Sequence, residues 1–180
     1  MTDEPATHPT RRWEHDDTLH AWWVTDQILA GEYPASYRHD SKSAEKVALL
    51  LDAGVRTIID LTTPRDGLDS YDDALRTESE RRGISVTHVG HPIPDMDVID
   101  RAGYDDILAT LDDGLARGVV YIHCWGGKGR TSTVVGRYLR RTGLSYEETI
   151  DEIERLRAGT RKAWESCPEA QSQHRMLRLD

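Results

Sequence analysis

The 180-residue sequence predicts a single α/β domain, with a central, mostly parallel sheet and helices on both faces. Three observations predict it. Short runs rich in Val and Ile alternate with longer runs of helical periodicity. Glycines at positions 54, 83, 118 and 143 stop the helical runs. Beyond a polar start, no repeat or low-complexity tract divides the chain.

The elements follow in order. Residues 1–17 are polar, hold Pro5 and Pro9, and read as a flexible arm ahead of a domain over 18–180. Residues 22–31 read as a strand pair turning at Thr25-Asp26. A helix is expected over 42–53, stopped by Gly54, and a buried strand over 55–61. Residues 62–70 form a loop with Pro64 and Gly67, and a helix over 71–82 ends at Gly83. A strand over 84–89 leads into the proline-stiffened segment His91-Pro92-Ile93-Pro94-Asp95-Met96-Asp97. A helix over 101–116 and a strand over 119–123 come next, then a helical pattern over 133–141. Ser145 and Glu148 make a capping box for a helix to residue 158. Pro168 suits the first turn of a last helix reaching Leu179.

Composition bounds the function. Apolar residues make up 37%, Phe is absent, and five Trp and seven Tyr supply the aromatic core. A chain this long buries roughly 70% of its unfolded surface. The formal charge of −9 and the lack of a basic stripe argue against nucleic acid or anionic membranes as partners. No apolar run approaches the ~18 residues of a membrane span. The start of the chain has no apolar secretory core, and Cys124 and Cys167 are its only cysteines. A disulfide scaffold is therefore not expected, and the cytoplasm is the expected compartment. Cys167 reads as a packed or surface cysteine, with a bridge to an oxidised Cys124 as the alternative.

The most informative run is His123-Cys124-Trp125-Gly126-Gly127-Lys128-Gly129-Arg130-Thr131, set between the strand over 119–123 and a helix. Its glycines let the backbone curl, so that successive N–H groups point inward as an anion nest. The following helix adds the positive end of its dipole. Arg130, in the first turn of that helix, offers a two-pronged guanidinium to two phosphate oxygens. Free cysteine ionises near pH 8.5, and a helix N-terminus with an adjacent cation brings that down by several units. The pattern suits a phosphate cradle made by the amides of Trp125, Gly126, Gly127, Lys128, Gly129 and Arg130, with the Cys124 sulfur at its floor. Thr131 is placed to donate a hydroxyl hydrogen bond to that sulfur. A Walker loop is excluded because Gly-Arg, rather than Ser or Thr, follows Lys128. Zinc is not expected. His123 and Cys124 are adjacent, no paired Cys spacing occurs, and His88, His91 and His174 show no ligand spacing with one another.

This run resembles the His-Cys-x5-Arg-Ser/Thr signature of the cysteine-dependent protein tyrosine phosphatases, and the short chain resembles their dual-specificity branch. Residues 28–34 (Ile-Leu-Ala-Gly-Glu-Tyr-Pro) are similar to the start of bacterial members. Many members have glycine where this chain has Ser132. The resemblance covers nearly the whole chain from Trp22 and implies a protein-tyrosine-phosphatase-like fold. It further implies a nucleophile at Cys124, a phosphate clamp at Arg130 and a mobile acid loop. Proline followed by Asp95 resembles that loop's Pro-Asp, so Asp95 is the preferred acid and Asp97 the alternative; a turn or helix-cap role is the plain reading for each. In the family the residue before the nucleophile orients the cysteine, so His123 is supporting, which is compatible with a satisfied core histidine. Lys128 points into solvent or contacts a second phosphate, as a lysine at this place does in inositol phosphate phosphatases. Gln173 resembles a water-placing glutamine, with a surface helix residue as the plainer reading. Arg65 borders the site at most and reads as a solvated charge.

The implied activity is hydrolysis of a phosphomonoester through a thiophosphoryl enzyme, on phosphotyrosine and also phosphoserine or phosphothreonine in proteins. Inositol phosphates or phosphoinositides are the alternative substrates, and an inactive phosphate-binding module is the third reading. The expected partners are a phosphorylated protein or small molecule, and a phosphate or sulfate-like anion in the cradle. No metal or cofactor is required.

Overall fold

The computed structural model describes residues 9–35 and 40–179. Its strands are β1 (Ala21–Thr25), β2 (Ile28–Gly31), β3 (Val55–Asp60), β4 (Thr87–Gly90) and β5 (Val119–His123). Its helices are α1 (Asp40–Asp52), α2 (Asp72–Arg82), α3 (Arg101–Leu115), α4 (Gly129–Arg141), α5 (Tyr146–Arg157) and α6 (Gln171–Arg178). The sheet order is β1-β2-β5-β3-β4. β1 runs antiparallel to β2, and the other neighbours are parallel. This is the expected α/β architecture.

Strand alternation builds two cores. In β5, Val119 and Tyr121 face α1 and α2, while Val120 and Ile122 face the other four helices. β1 divides the same way, with Ala21 and Trp23 on the first side and Trp22 and Val24 on the second. Both faces are covered, so the strands read as continuous apolar runs. β5 lies at the centre of the sheet, which puts its carboxyl end and the following loop in the middle of the molecule.

The structure corrects several boundaries. Residues 1–8 of the expected flexible arm lie outside the described residues. From Pro9 onward the arm is docked. The Asp26 carboxylate accepts a hydrogen bond from the Thr10 N–H (2.6 Å), Trp13 Nε1 donates to the Leu19 carbonyl (2.7 Å), and the Arg11 guanidinium stacks 3.9 Å from the Trp23 ring centroid. The strand expected over 84–89 is Thr87–Gly90. The reason is local: Gly83 takes the left-handed conformation (φ 63°), and the Ile84 N–H bonds back to Ser79, so residue 84 still closes α2. Pro168 does not start the last helix. It follows a cis peptide bond after Cys167, and α6 begins at Gln171, where the Gln173 side chain accepts from the Ala170 N–H (2.9 Å).

The expected capping box is present. The Ser145 hydroxyl accepts from the Glu148 N–H (3.2 Å), and the Glu148 carboxylate accepts from the Ser145 N–H (2.7 Å). Ser145→Ala is expected to lower stability by about 1 kcal/mol. Urea unfolding checks this: the midpoint falls and the denaturant slope stays the same.

Candidate active site

β5 ends at His123 and α4 begins at Gly129, so the cysteine run spans the gap between a strand end and a helix start. The carbonyls of the loop are tied outward. That of Cys124 accepts from His123 Nδ1 (3.0 Å), that of Trp125 from the Tyr33 N–H (2.9 Å), and that of Gly126 from the Lys162 ammonium (2.9 Å). The Lys128 carbonyl joins the α4 ladder through the Ser132 N–H (2.9 Å). Among the described residues, the N–H groups of Trp125, Gly126, Gly127 and Lys128 meet no protein acceptor. The Gly129 N–H, expected in the cradle, is instead taken by the Glu169 carboxylate (3.1 Å) that lines the cleft.

Gly127 is required for this path. Its φ is 70°, and a Cβ there would lie 2.4 Å from the Gly31 carbonyl carbon and 2.6 Å from the Glu32 nitrogen. Ser132, where glycine is usual in the resembling family, is buried, and its hydroxyl donates to the Lys128 carbonyl. The helix therefore packs without a glycine at that place.

The loop floors a cleft of about 230 Å³. Cys124, Arg130 and Asp95 line it, with Met96, Glu169 and the loop residues Trp125, Gly126, Lys128 and Gly129. Arg130 is 2% exposed. Its guanidinium donates to Asp66 (2.8 Å) and to the Ile93 carbonyl (3.1 Å), and Asp95 stands 3.2 Å away. Burial opposes the charge on Asp66, but the Arg130 and Thr63 hydrogen bonds outweigh it and hold the carboxyl below its ordinary range. A depressed carboxyl contributes stability above its unfolded pKa and loses it as pH falls through the lowered value. The Asp66–Arg130 pair therefore persists until the medium is more acidic than an ordinary aspartate requires.

The structure brings Cys124, Arg130, Asp95, Gly126 and Gly129 together around one cleft. The Thr131 hydroxyl is buried next to the loop and meets no partner among the described residues, so the expected hydrogen bond to the Cys124 sulfur is not present. Asp97 stays outside the cleft lining, and its carboxylate accepts from the Val98 N–H (2.9 Å), a turn role. Arg65 is exposed. Two further expectations are corrected. Lys128 is not a free or solvated cation: its ammonium is paired with Glu165 and with Glu169 (2.9 Å). Gln173 is not a surface residue: it is fully buried, and its amide crowds Gly129, where a Cβ would lie 2.8 Å away. Cys167 is buried in the same core as Cys124, and burial pushes its thiol up to about 11.

His123 is fully buried, and burial keeps its imidazole neutral by lowering its pKa against the pull of Asp60. The Tyr71 hydroxyl lies 2.7 Å from its Nε2. Asp66, Tyr71 and Glu169 went unnoticed in the sequence. The signal for Asp66 was its place between Pro64 and the left-handed Gly67 in a tight turn. Tyr71 and Glu169 carry no local signal.

Residues 22–176 match the family model PTP-SAK, described as a Swiss Army Knife protein, DSP-PTPase phosphatase domain. A Mus musculus protein named protein tyrosine phosphatase domain-containing protein 1 is 29% identical over 144 residues. The match spans 71% of this chain and 18% of that relative's length. Among solved structures, Tk-PTP in its active form is 25% identical over 88% of this chain and 93% of its own, with a TM-score of 0.66. P. aeruginosa TpbA in complex with pTyr is 20% identical over 99% and 97%, with a TM-score of 0.62. PTPMT1 in complex with PI(5)P is 21% identical over 85% and 88%, with a TM-score of 0.61. The last two likenesses are of fold.

Asp66→Asn keeps the shape and removes the charge opposite Arg130. A hydrogen bond to a charged group is worth about 1.5–3 kcal/mol. The substitution is expected to weaken inhibition by inorganic phosphate at least tenfold, read from the inhibition constant at neutral pH.

Proposed function

This chain belongs to the DSP-PTPase phosphatase domain family, and from that premise we propose that it hydrolyses phosphomonoesters in proteins, phosphotyrosine first and phosphoserine or phosphothreonine as well. It is a phosphatase of the protein tyrosine phosphatase superfamily. The observation that carries the reading is a single cleft lined by Cys124, Arg130 and Asp95, with Asp95 3.2 Å from the Arg130 guanidinium.

The steps follow from the residues. The inward amides, the α4 N-terminus and Arg130 hold the phosphoryl oxygens and stabilise their charge. The Cys124 sulfur attacks phosphorus in line, an S–P bond forms, and the P–O bond to the leaving group breaks. Asp95 gives its proton to the departing oxygen. Water then attacks phosphorus, Asp95 takes a proton from it, and the S–P bond breaks to release phosphate. The Thr131 hydroxyl donates to the sulfur as it leaves. Positioning and charge stabilisation supply most of the rate.

The protein-substrate reading draws on the rim. Trp125 is 53% exposed and lines both this cleft and a larger one of about 550 Å³ that also holds Tyr33 and Lys162. That neighbour gives room for residues flanking a phosphorylated side chain. The pairing of Lys128 with Glu165 and Glu169 works against a polyphosphate, because two carboxylates already hold the cation.

Cys124→Ser is expected to abolish turnover of an aryl phosphate while the variant still binds phosphate. Retained turnover would rule out the covalent route. Asp95→Ala is expected to cost about 10²–10⁴-fold in kcat on poor leaving groups and much less on good ones. The same selective loss in Asp97→Ala would move the acid to Asp97. For substrate class, kcat/KM on a phosphotyrosine peptide is expected to exceed that on an inositol polyphosphate, and the reverse order would overturn the protein reading.

A further inference from the structure

We propose that Asp60, His88 and His123 form a binding site for a divalent first-row cation, zinc(II) by its donor set, on the α1/α2 side of the sheet. Among the described residues, these three are the His, Cys, Asp and Glu group whose ligand atoms all lie within 4.8 Å of one another. The strand register makes the cluster. Asp60 at the end of β3 pairs with His123 at the end of β5, and His88 in β4 pairs with Ile58, two residues from Asp60 on the same face. Positions 60, 88 and 123 are far apart in sequence, which is why their spacing carried no metal signal.

The atoms are set for coordination. Asp60 Oδ2 lies 3.3 Å from His88 Nε2 and 3.9 Å from His123 Nε2. Ligands about 2.0–2.1 Å from a tetrahedral zinc sit ~3.3 Å apart, so the first pair already has the required separation and the second closes by a fraction of an ångström. The Tyr71 hydroxyl, 2.9 Å from His88 Nε2 and 2.7 Å from His123 Nε2, stands beside the fourth position.

The outer partners are the stronger argument. His88 Nδ1 lies 3.0 Å from the Asp72 carboxylate, and His123 Nδ1 lies 3.0 Å from the Cys124 carbonyl. A metal-binding histidine donates its other ring N–H to such an acceptor, which fixes the tautomer. Here both Nδ1 atoms face such an acceptor, and both Nε2 atoms lie with the Asp60 carboxylate inside one 4.8 Å cluster. Without a cation, Tyr71 and Asp60 share the His88 Nε2, and Tyr71 faces the His123 Nε2. The site is reachable, since the His88 side chain is 26% exposed and that of Asp60 14%. A His₂–Asp oxygen and nitrogen set suits zinc(II) among the divalent cations. Bound metal pins the ends of three adjacent parallel strands directly beneath the cysteine loop.

The test uses the full chain as Cys124→Ser, which removes the thiol next to His123 and makes the result independent of the phosphatase reading; Cys167 stays in every variant. Equilibrium dialysis against zinc(II) is expected to show one equivalent bound, and the thermal unfolding midpoint is expected to rise with zinc. Adding His88→Ala is expected to weaken binding at least tenfold and abolish the thermal shift. Adding Asp72→Asn, a change at a side chain 68% exposed, is expected to weaken binding about 10–100-fold with the fold intact by circular dichroism. Failure of Cys124→Ser to bind one equivalent, or binding by His88→Ala and Asp72→Asn as tight as by Cys124→Ser alone, overturns the proposal.

Discussion

The backbone between Cys124 and Arg130 has to present its amides to one point, and it cannot do so unaided. Three of its carbonyls are held by donors outside the loop: the adjacent His123 at the end of β5, and the distant Tyr33 just past β2 and Lys162 beyond α5. Each tether costs little to form because the donor is otherwise in need of an acceptor. The sheet order serves this arrangement. Pairing of β2 with β5 places Gly31 opposite His123, so residues 32 and 33 run alongside the loop. Gly127 packs onto that backbone so closely that only glycine fits.

The same logic governs Arg130. A guanidinium that is 2% exposed needs partners for its charge and its donors. Asp66 takes both terminal nitrogens, the Ile93 carbonyl shares one of them, and Asp95 stands 3.2 Å from the other at the cleft. Those partners come from the loops that follow β3 and β4, the two strands beside β5 on the side away from β2. The carboxyl ends of the parallel strands thus all contribute to one site, as open α/β sheets generally arrange their ligands. Although the whole chain carries a net charge of −9, the cradle's positive field is local, made of amides, a helix end and one held cation.

Much of this was legible in the residues. The strand–loop–helix around Cys124 announces itself through a Val-Val-Tyr-Ile run, three glycines and Arg130 at fixed spacing, because each signal is local to the element that it forms. The Ser145 capping box is likewise a four-residue matter and appears as read. Asp95 was marked by the prolines around it, and the fold brings it to the cleft while Asp97 turns away. The errors share one cause. Lys128 seemed free because Glu165 and Glu169, its partners, lie on a segment that only packing brings near. Gln173 seemed exposed because the short α6 gives little periodicity, yet its side chain fills the space that Gly129 leaves.

Local chemistry therefore determined the α/β class, the order of the elements and the pairing of Cys124 with Arg130 across one loop, since these depend on residues within a turn or two of one another. The tertiary structure alone decided which carboxylate holds Arg130, what neutralises Lys128, and that Asp60, Tyr71, His88 and His123 meet under the loop. Those outcomes depend on strand register and helix docking, where contacts join residues tens of positions apart and no spacing along the chain records them.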